Sequence, residues 1–242
     1  MSELKNFGGL DEASFYFMNS AFDHIKHAFI MERANIIFGE EIMKINVPND
    51  WEVPEFPESI EEQLEFNTQL LPEETIEDMA KCWEYAQAMA SESDEIRLPK
   101  GHKVNSIEIV GHIINLHAFV ETQLNRHLYY LRVTNKISGE IFNSLDRTEF
   151  IPKILYMFKD EVDNKELNIQ QFRSLNKLRN NAVHFKKGSR ESIKPTIGEL
   201  ILIWREVGIL LMLTSGEPNG NQILGYMKYL TENFLAMKNR QP

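Results

Sequence analysis

Arg179, Asn180 and His184 lie close together in the stretch QFRSLNKLRNNAVHF, residues 171–185, and read as R-N-x-x-x-H. A guanidinium grips a phosphate through paired donors and stabilises charge that develops on it. An imidazole has the intrinsic pKa to move a proton near neutrality. A carboxamide can orient the phosphate or the ring. Together these groups suit cleavage of RNA, where a 2′-OH attacks the neighbouring phosphate while a base takes its proton and an acid protonates the leaving oxygen. One histidine per chain does not easily fill both roles. Two chains facing each other across a twofold axis would supply the second.

The elements that must position these groups are helical. Phe172, Leu175, Leu178, Ala182 and Phe185 recur at helical steps and make an apolar arc, while Arg173, Lys177, Asn180 and His184 line the polar side and Arg179 lies in or beside the arc. Residues five apart on a straight helix point about 140° from each other. Arg179 and His184 therefore converge on one phosphate only if the helix bends or ends between them, or if the site is shared between chains. Upstream, the spacing predicts a long helix over residues 106–133. Its apolar arc is Ile107, Val110, Ile113, Ile114, Val120, Leu124, Leu128 and Leu131, with His117 and Glu121 inside it, four residues apart. A carboxylate facing a core needs a partner; His117 and Arg179 are the candidates. Read without chemistry, the same residues are a satisfied core histidine and an internal salt bridge.

Taken in order, the chain gives an expected helix, or two in sequence, over 11–43, capped by Asp11 or Ser14. An acidic, Pro-rich connection over 45–59 follows, with a weak strand signal at 45–53. Pro72 is placed to start a helix whose stripe is Met79, Trp83, Ala86 and Met89, and 91–103 is a polar linker. Beyond the long helix, shorter ones are expected over 135–146 and 149–160, then the motif helix over 167–185, a basic turn over 186–194, and helices over 195–214 and 221–237. The fold class is all-α, a bundle of five to eight helices.

Of the 242 residues 43% are hydrophobic, ordinary for a folded domain. Cys82 is the only cysteine, which excludes an internal disulfide and suits a reducing cytoplasm; it reads as a core residue. The first residues are polar, with no secretory signal. The longest apolar run, 197–213, is interrupted by Glu199, Arg205 and Glu206 and reads as a buried helix rather than a membrane span. Charge is divided unevenly. Residues 1–100 carry 7 Lys/Arg against 22 Asp/Glu, a net −15, and residues 101–242 carry 19 against 14, a net +5. Such asymmetry points to an anionic partner for the basic half, or to a solvated face with the acidic half folded over it. No metal or other cofactor is implied. His24 and His27 lack a companion acid at a convincing spacing, and Glu108 with His112 is not repeated as a di-metal bundle would need.

R-N-x-x-x-H late on a helix, preceded by a long helix with an inward acid, resembles the HEPN superfamily (higher eukaryotes and prokaryotes nucleotide-binding). That signature is Arg, a short spacer and His, often with Asn, Asp or His directly after the Arg. LHAFVETQLNRHL, residues 116–128, is similar to the superfamily's earlier core helix, with Glu121 in its acidic place. The resemblance covers about residues 105–237 and leaves the acidic first hundred unexplained. It implies a HEPN-like helical bundle over 101–242 with an acidic, mainly helical extension over 1–100 packed on it. It also implies a homodimeric, metal-independent endoribonuclease of the kind found among toxins of toxin–antitoxin pairs and in phage defence. Arg179, Asn180 and His184 would be catalytic, with Glu121 and His117 in support. Arg173, Lys177, Lys186, Lys187 and Arg190 would contact single-stranded RNA or a nucleotide, and an antitoxin protein is a possible partner. Other members have lost catalysis and only bind or assemble, which is the alternative reading. One subgroup is silenced by nucleotidyl transfer to a tyrosine two residues after the histidine; that position here is Lys186. A third reading is an unrelated helical protein in which Arg179 serves Glu121 and His184 is a surface residue.

Overall fold

The computed structural model describes residues 5–45, 73–92, 101–105, 107–183 and 194–239. Among them are nine helices and a single isolated β-bridge. The helices are α1 (Lys5–Ile42), α2 (Glu73–Glu92), α3 (Glu108–Val133), α4 (Gly139–Asp146), α5 (Phe150–Met157), α6 (Lys159–Asp163), α7 (Ile169–Val183), α8 (Ile197–Leu213) and α9 (Gly220–Asn239). The all-α class is thus seen directly. The weak strand signal at 45–53 falls, beyond Ile45, outside the described residues.

The chain divides into two compact units. One comprises Met1–Phe29 with Glu95–Pro242, the other Ile30–Asp94. In the smaller, Phe38 of α1 meets Trp83 of α2 edge to face, ring centroids 5.4 Å apart. The inward positions of α2 are Thr75, Ala86 and Ala90, whereas Met89 is exposed and Cys82 only half-buried.

In the larger unit α3 is the central element, packing against α4, α5 and α7; α7 also packs on α5 and α8, and α8 on α9. Its buried stripe is Ile109, Ile113, Leu116, Phe119, Val120, Leu124 and Leu128. Each such side chain contributes roughly 1.5–3 kcal/mol when fully buried. Two members of the expected arc fall elsewhere: Ile107 precedes the helix and is 82% exposed, and Ile114 is exposed too. From α7 come Phe172 and Leu175, from α8 Ile203, Val207 and Leu210.

Three boundaries differ from the periodicity. The first helix begins at Lys5, so Asp11 and Ser14 lie within it, buried, and do not cap it. The expected 149–160 helix is two, because buried Phe158 leaves helical geometry (φ −127°, ψ 37°) between α5 and α6. The 135–146 helix starts only at Gly139, where Ser138 accepts a hydrogen bond from the Ile141 amide. Asn135 takes up the turn before it at φ 56°.

Asp11 and Ser14 are instead spent on α3. Arg126, fully buried, donates from Nε to Asp11 Oδ1 (2.8 Å) and from Nη1 to Glu217 Oε2 (3.0 Å). Glu217 also meets His127 Nδ1, Asn219 donates to Asp11 Oδ2 (2.6 Å), and Gln123 donates to Ser14 Oγ (2.6 Å). Further along, Ala21 O accepts from His112 Nδ1 (2.8 Å), and His24 pairs with Glu108 (2.6 Å). Gly111 permits the close approach there, since a Cβ would stand 2.6 Å from the His24 ring. A backbone clip joins the entries of α3 and α8: Val104 donates to Pro195 O (3.0 Å) and Ile197 to His102 O (3.1 Å). Thr196 and Glu199 then close a capping box on α8.

Candidate functional site

The contact between α3 and α7 gathers most of the residues singled out by the sequence. His117 is 6% exposed, with its ring stacked on Phe150 of α5 (centroids 4.5 Å apart). Its Nε2–H donates to Asn176 Oδ1 of α7 at 3.2 Å, and its Nδ1 faces Glu121 Oε2 at 3.9 Å. Burial lowers the His117 pKa below its ordinary 6.5 and the nearby Arg179 charge lowers it further, against the opposing pull of Asn176 and Glu121. The ring is therefore neutral at pH 7.

Asn176, Arg179 and Asn180 stand three and four residues apart, so one edge of α7 carries all three. Arg179 is half-buried and donates from Nη1 to Asn180 Oδ1 at 3.0 Å; Asn180 is exposed. Arg173 and Lys177 are exposed on the same helix, as their spacing predicts.

Two expectations are corrected. Glu121 does not face the core: its side chain is 47% exposed, at the lip of the contact, because the core stripe of α3 runs through Leu116, Val120 and Leu124. Nor does it pair with Arg179. Among the described residues the one basic side chain within 4 Å of Glu121 is the neutral His117 ring, and Arg179 has no carboxylate partner. Among the described residues the guanidinium keeps donors free of any carboxylate, as a phosphate site needs and a purely structural arginine does not.

His184, Lys186, Lys187 and Arg190 lie outside the described residues, and so does Phe185. The helix that carries Arg179 and Asn180 is described to Val183, next to the histidine.

Sequence reasoning missed Asn176 and Phe150. Asn176 left a trace: it precedes Arg179 by three positions on the same edge. Phe150 left none, since its stacking on His117 joins helices that only the tertiary fold brings together. Arg126 was missed for the same reason. Glu108, weighed with His112 as a paired motif, instead holds His24.

No helix among the described residues is long and apolar enough to cross a membrane. No family model, no curated protein and no solved structure matches the chain.

Proposed function

We propose that this chain is a HEPN-type, metal-independent endoribonuclease, with a HEPN-like core in its larger unit, acting as a homodimer on single-stranded RNA. The observation that carries the reading is the half-buried Arg179, held by Asn180 and free of any carboxylate among the described residues, on the edge of the helix that leads to His184. Arg179 binds the phosphate and stabilises charge developing on it. Asn180 fixes the guanidinium, leaving the remaining N–H groups for the substrate. His184 moves the proton, and the partner chain's copy supplies the opposite acid–base role. His117, neutral and pinned by Asn176, helps hold the α3–α7 edge in register beneath Arg179. Arg173, Lys177, Lys186, Lys187 and Arg190 steer the RNA backbone to the site.

The test is incubation of the purified chain with single-stranded RNA in EDTA. Cleavage is expected, and Arg179→Gln and His184→Ala should each reduce it by about 10²–10⁴-fold. Unchanged cleavage in His184→Ala would remove the imidazole from the mechanism. RNA bound but left intact by the unaltered chain would select the second reading, a non-catalytic binding or assembly module, favoured by the net −15 of residues 1–100. An antitoxin, in the toxin reading, would cover the basic edge of α7. Deleting residues 1–100 does not probe the acidic half cleanly, because Asp11, Ser14 and Ala21 anchor α3. Neutralising Glu and Asp within 46–72 leaves those anchors in place and should raise RNA affinity if that segment screens the basic face.

A further inference from the structure

A groove of about 730 Å³ opens between α1, α8 and α9, within the larger unit. Its walls are Phe22, Trp204, Ile209, Met212, Leu224 and Met227, all apolar or aromatic. Two cations join that lining, Arg205 from α8 and Lys228 from α9. Both are exposed, and neither has an ion-pair partner among the described residues. Trp204 packs against Phe22, centroids 4.6 Å apart, and against His112 at 5.5 Å, which hold its ring in place.

Gly208 also lines the groove. A glycine inside a helix costs roughly 1 kcal/mol against alanine, and no neighbour here demands it: a Cβ at Gly208 would meet nothing within 4 Å. What its missing side chain leaves is room in the groove.

We infer that this groove binds a free, single-chain carboxylate amphiphile of the long-chain fatty-acid class, the alkyl chain against the Trp204–Met212–Leu224 wall and the carboxylate at Arg205 and Lys228. The volume falls in the range of small-ligand pockets, about 300–1,000 Å³. Charge complementarity selects the anion, because a carboxylate in the groove would meet two cations that no described carboxylate already pairs. None of these residues belongs to the ribonuclease edge, so the inference stands or falls apart from that reading.

The test uses the full chain and dansyl-aminoundecanoate, whose fluorescence rises in an apolar site, with its methyl ester as the neutral control. Saturable binding is expected at one probe per chain. The double variant Arg205→Glu/Lys228→Glu should weaken the carboxylate probe by about tenfold or more and leave the ester within about twofold. Gly208→Leu, which places a side chain in open space, should abolish both while the circular dichroism and melting temperature persist. Absent or non-saturable binding overturns the inference. So does binding that Gly208→Leu leaves intact, or equal loss of ester and carboxylate in the charge variant. Should Gly208→Leu fail to fold, the charge variant's split between ester and carboxylate decides alone. A chain that is dimeric through this groove overturns it as well: Gly208→Leu would then shift the mass measured by light scattering, with no probe bound by the unaltered protein.

Discussion

Arg126 and Arg179 are both helical arginines with an imidazole nearby, yet they live under opposite conditions. Arg126 is fully buried between Asp11 and Glu217, with His127 and Asn219 completing the network. Arg179 is half-buried, and its one described partner is a neighbouring amide. In the first place every charge is consumed in joining α1, α3 and the turn before α9. In the second, charge is held ready and unspent. Buried ion networks are costly to form and costlier to break, so the first should reveal itself in stability and the second in activity.

The largest expected effect is at the first. Arg126→Met would leave Asp11 and Glu217 buried without their counter-charge and should cost about 3–5 kcal/mol in chemical denaturation. A loss below about 1 kcal/mol would break the contrast, placing both arginines among dispensable charges.

Acid should act next, through His112. Burial pushes its pKa from 6.5 to about 4, with the nearby His24 helping and the bond to Ala21 opposing. Its Nδ1–H is given to Ala21 O, and its buried Nε2 has no hydrogen-bond partner among the described residues. The folded chain thus refuses a proton that the unfolded chain accepts. The stabilisation is complete above pH 6.5 and is lost as pH falls towards 4, by roughly 3 kcal/mol at most. Melting curves between pH 7 and pH 4 should show that slope, and His112→Gln should flatten it. An unchanged slope in the variant would assign the acid sensitivity to other groups.

A smaller loss is expected at Gly220, where α9 begins. A Cβ there would stand 2.4 Å from Thr214 O and 2.9 Å from Ser215 O, both backbone atoms that cannot step aside. Gly220→Ala should cost about 1–3 kcal/mol in the same denaturation assay. Because Glu217 lies in that turn, the loss should shrink when combined with Arg126→Met, the mark of one coupled unit. Strict additivity would separate the turn from the ionic network.

The smallest stability effect belongs to the second arginine. Arg179→Gln should change unfolding free energy by no more than about 0.5 kcal/mol, as for a surface substitution that breaks no network. A loss of several kcal/mol would make Arg179 a structural residue and remove the observation on which the ribonuclease reading rests.

The two arginines also measure what the chain discloses before folding. Helical periodicity located most helices of the larger unit to within a few residues, because α3, α7 and α8 each carry an apolar stripe long enough to register, but it merged α5 and α6 into one. The R-N-x-x-x-H spacing drew attention to Arg179 because its companions are local. Arg126 was invisible because Asp11 and Glu217 lie 115 and 91 residues away in sequence. The same holds for domain organisation. Charge changes sign near residue 100, but packing groups residues 1–29 with 95–242, since Asp11, Ser14 and Ala21 are used by α3. The break at Phe158 was hidden too, as nothing in KILYMFKDEV interrupts a helical pattern. Glu121 was misread for a subtler reason: helical angle places a residue on a face but not at a depth, and α7 leaves that edge of α3 partly open.

The clip between residues 102–104 and 195–197 has a kinetic corollary. Its two backbone bonds make a non-helical crossing point where separate stretches of main chain shield one another's amides. Val104 and Ile197 should consequently trade their protons for deuterium as slowly as residues deep in α3. They should do so together, since neither bond opens without the other. That pair of signals would report, from the entry of α8 and the strand-like stretch opposite it, whether α8 has let go of the rest.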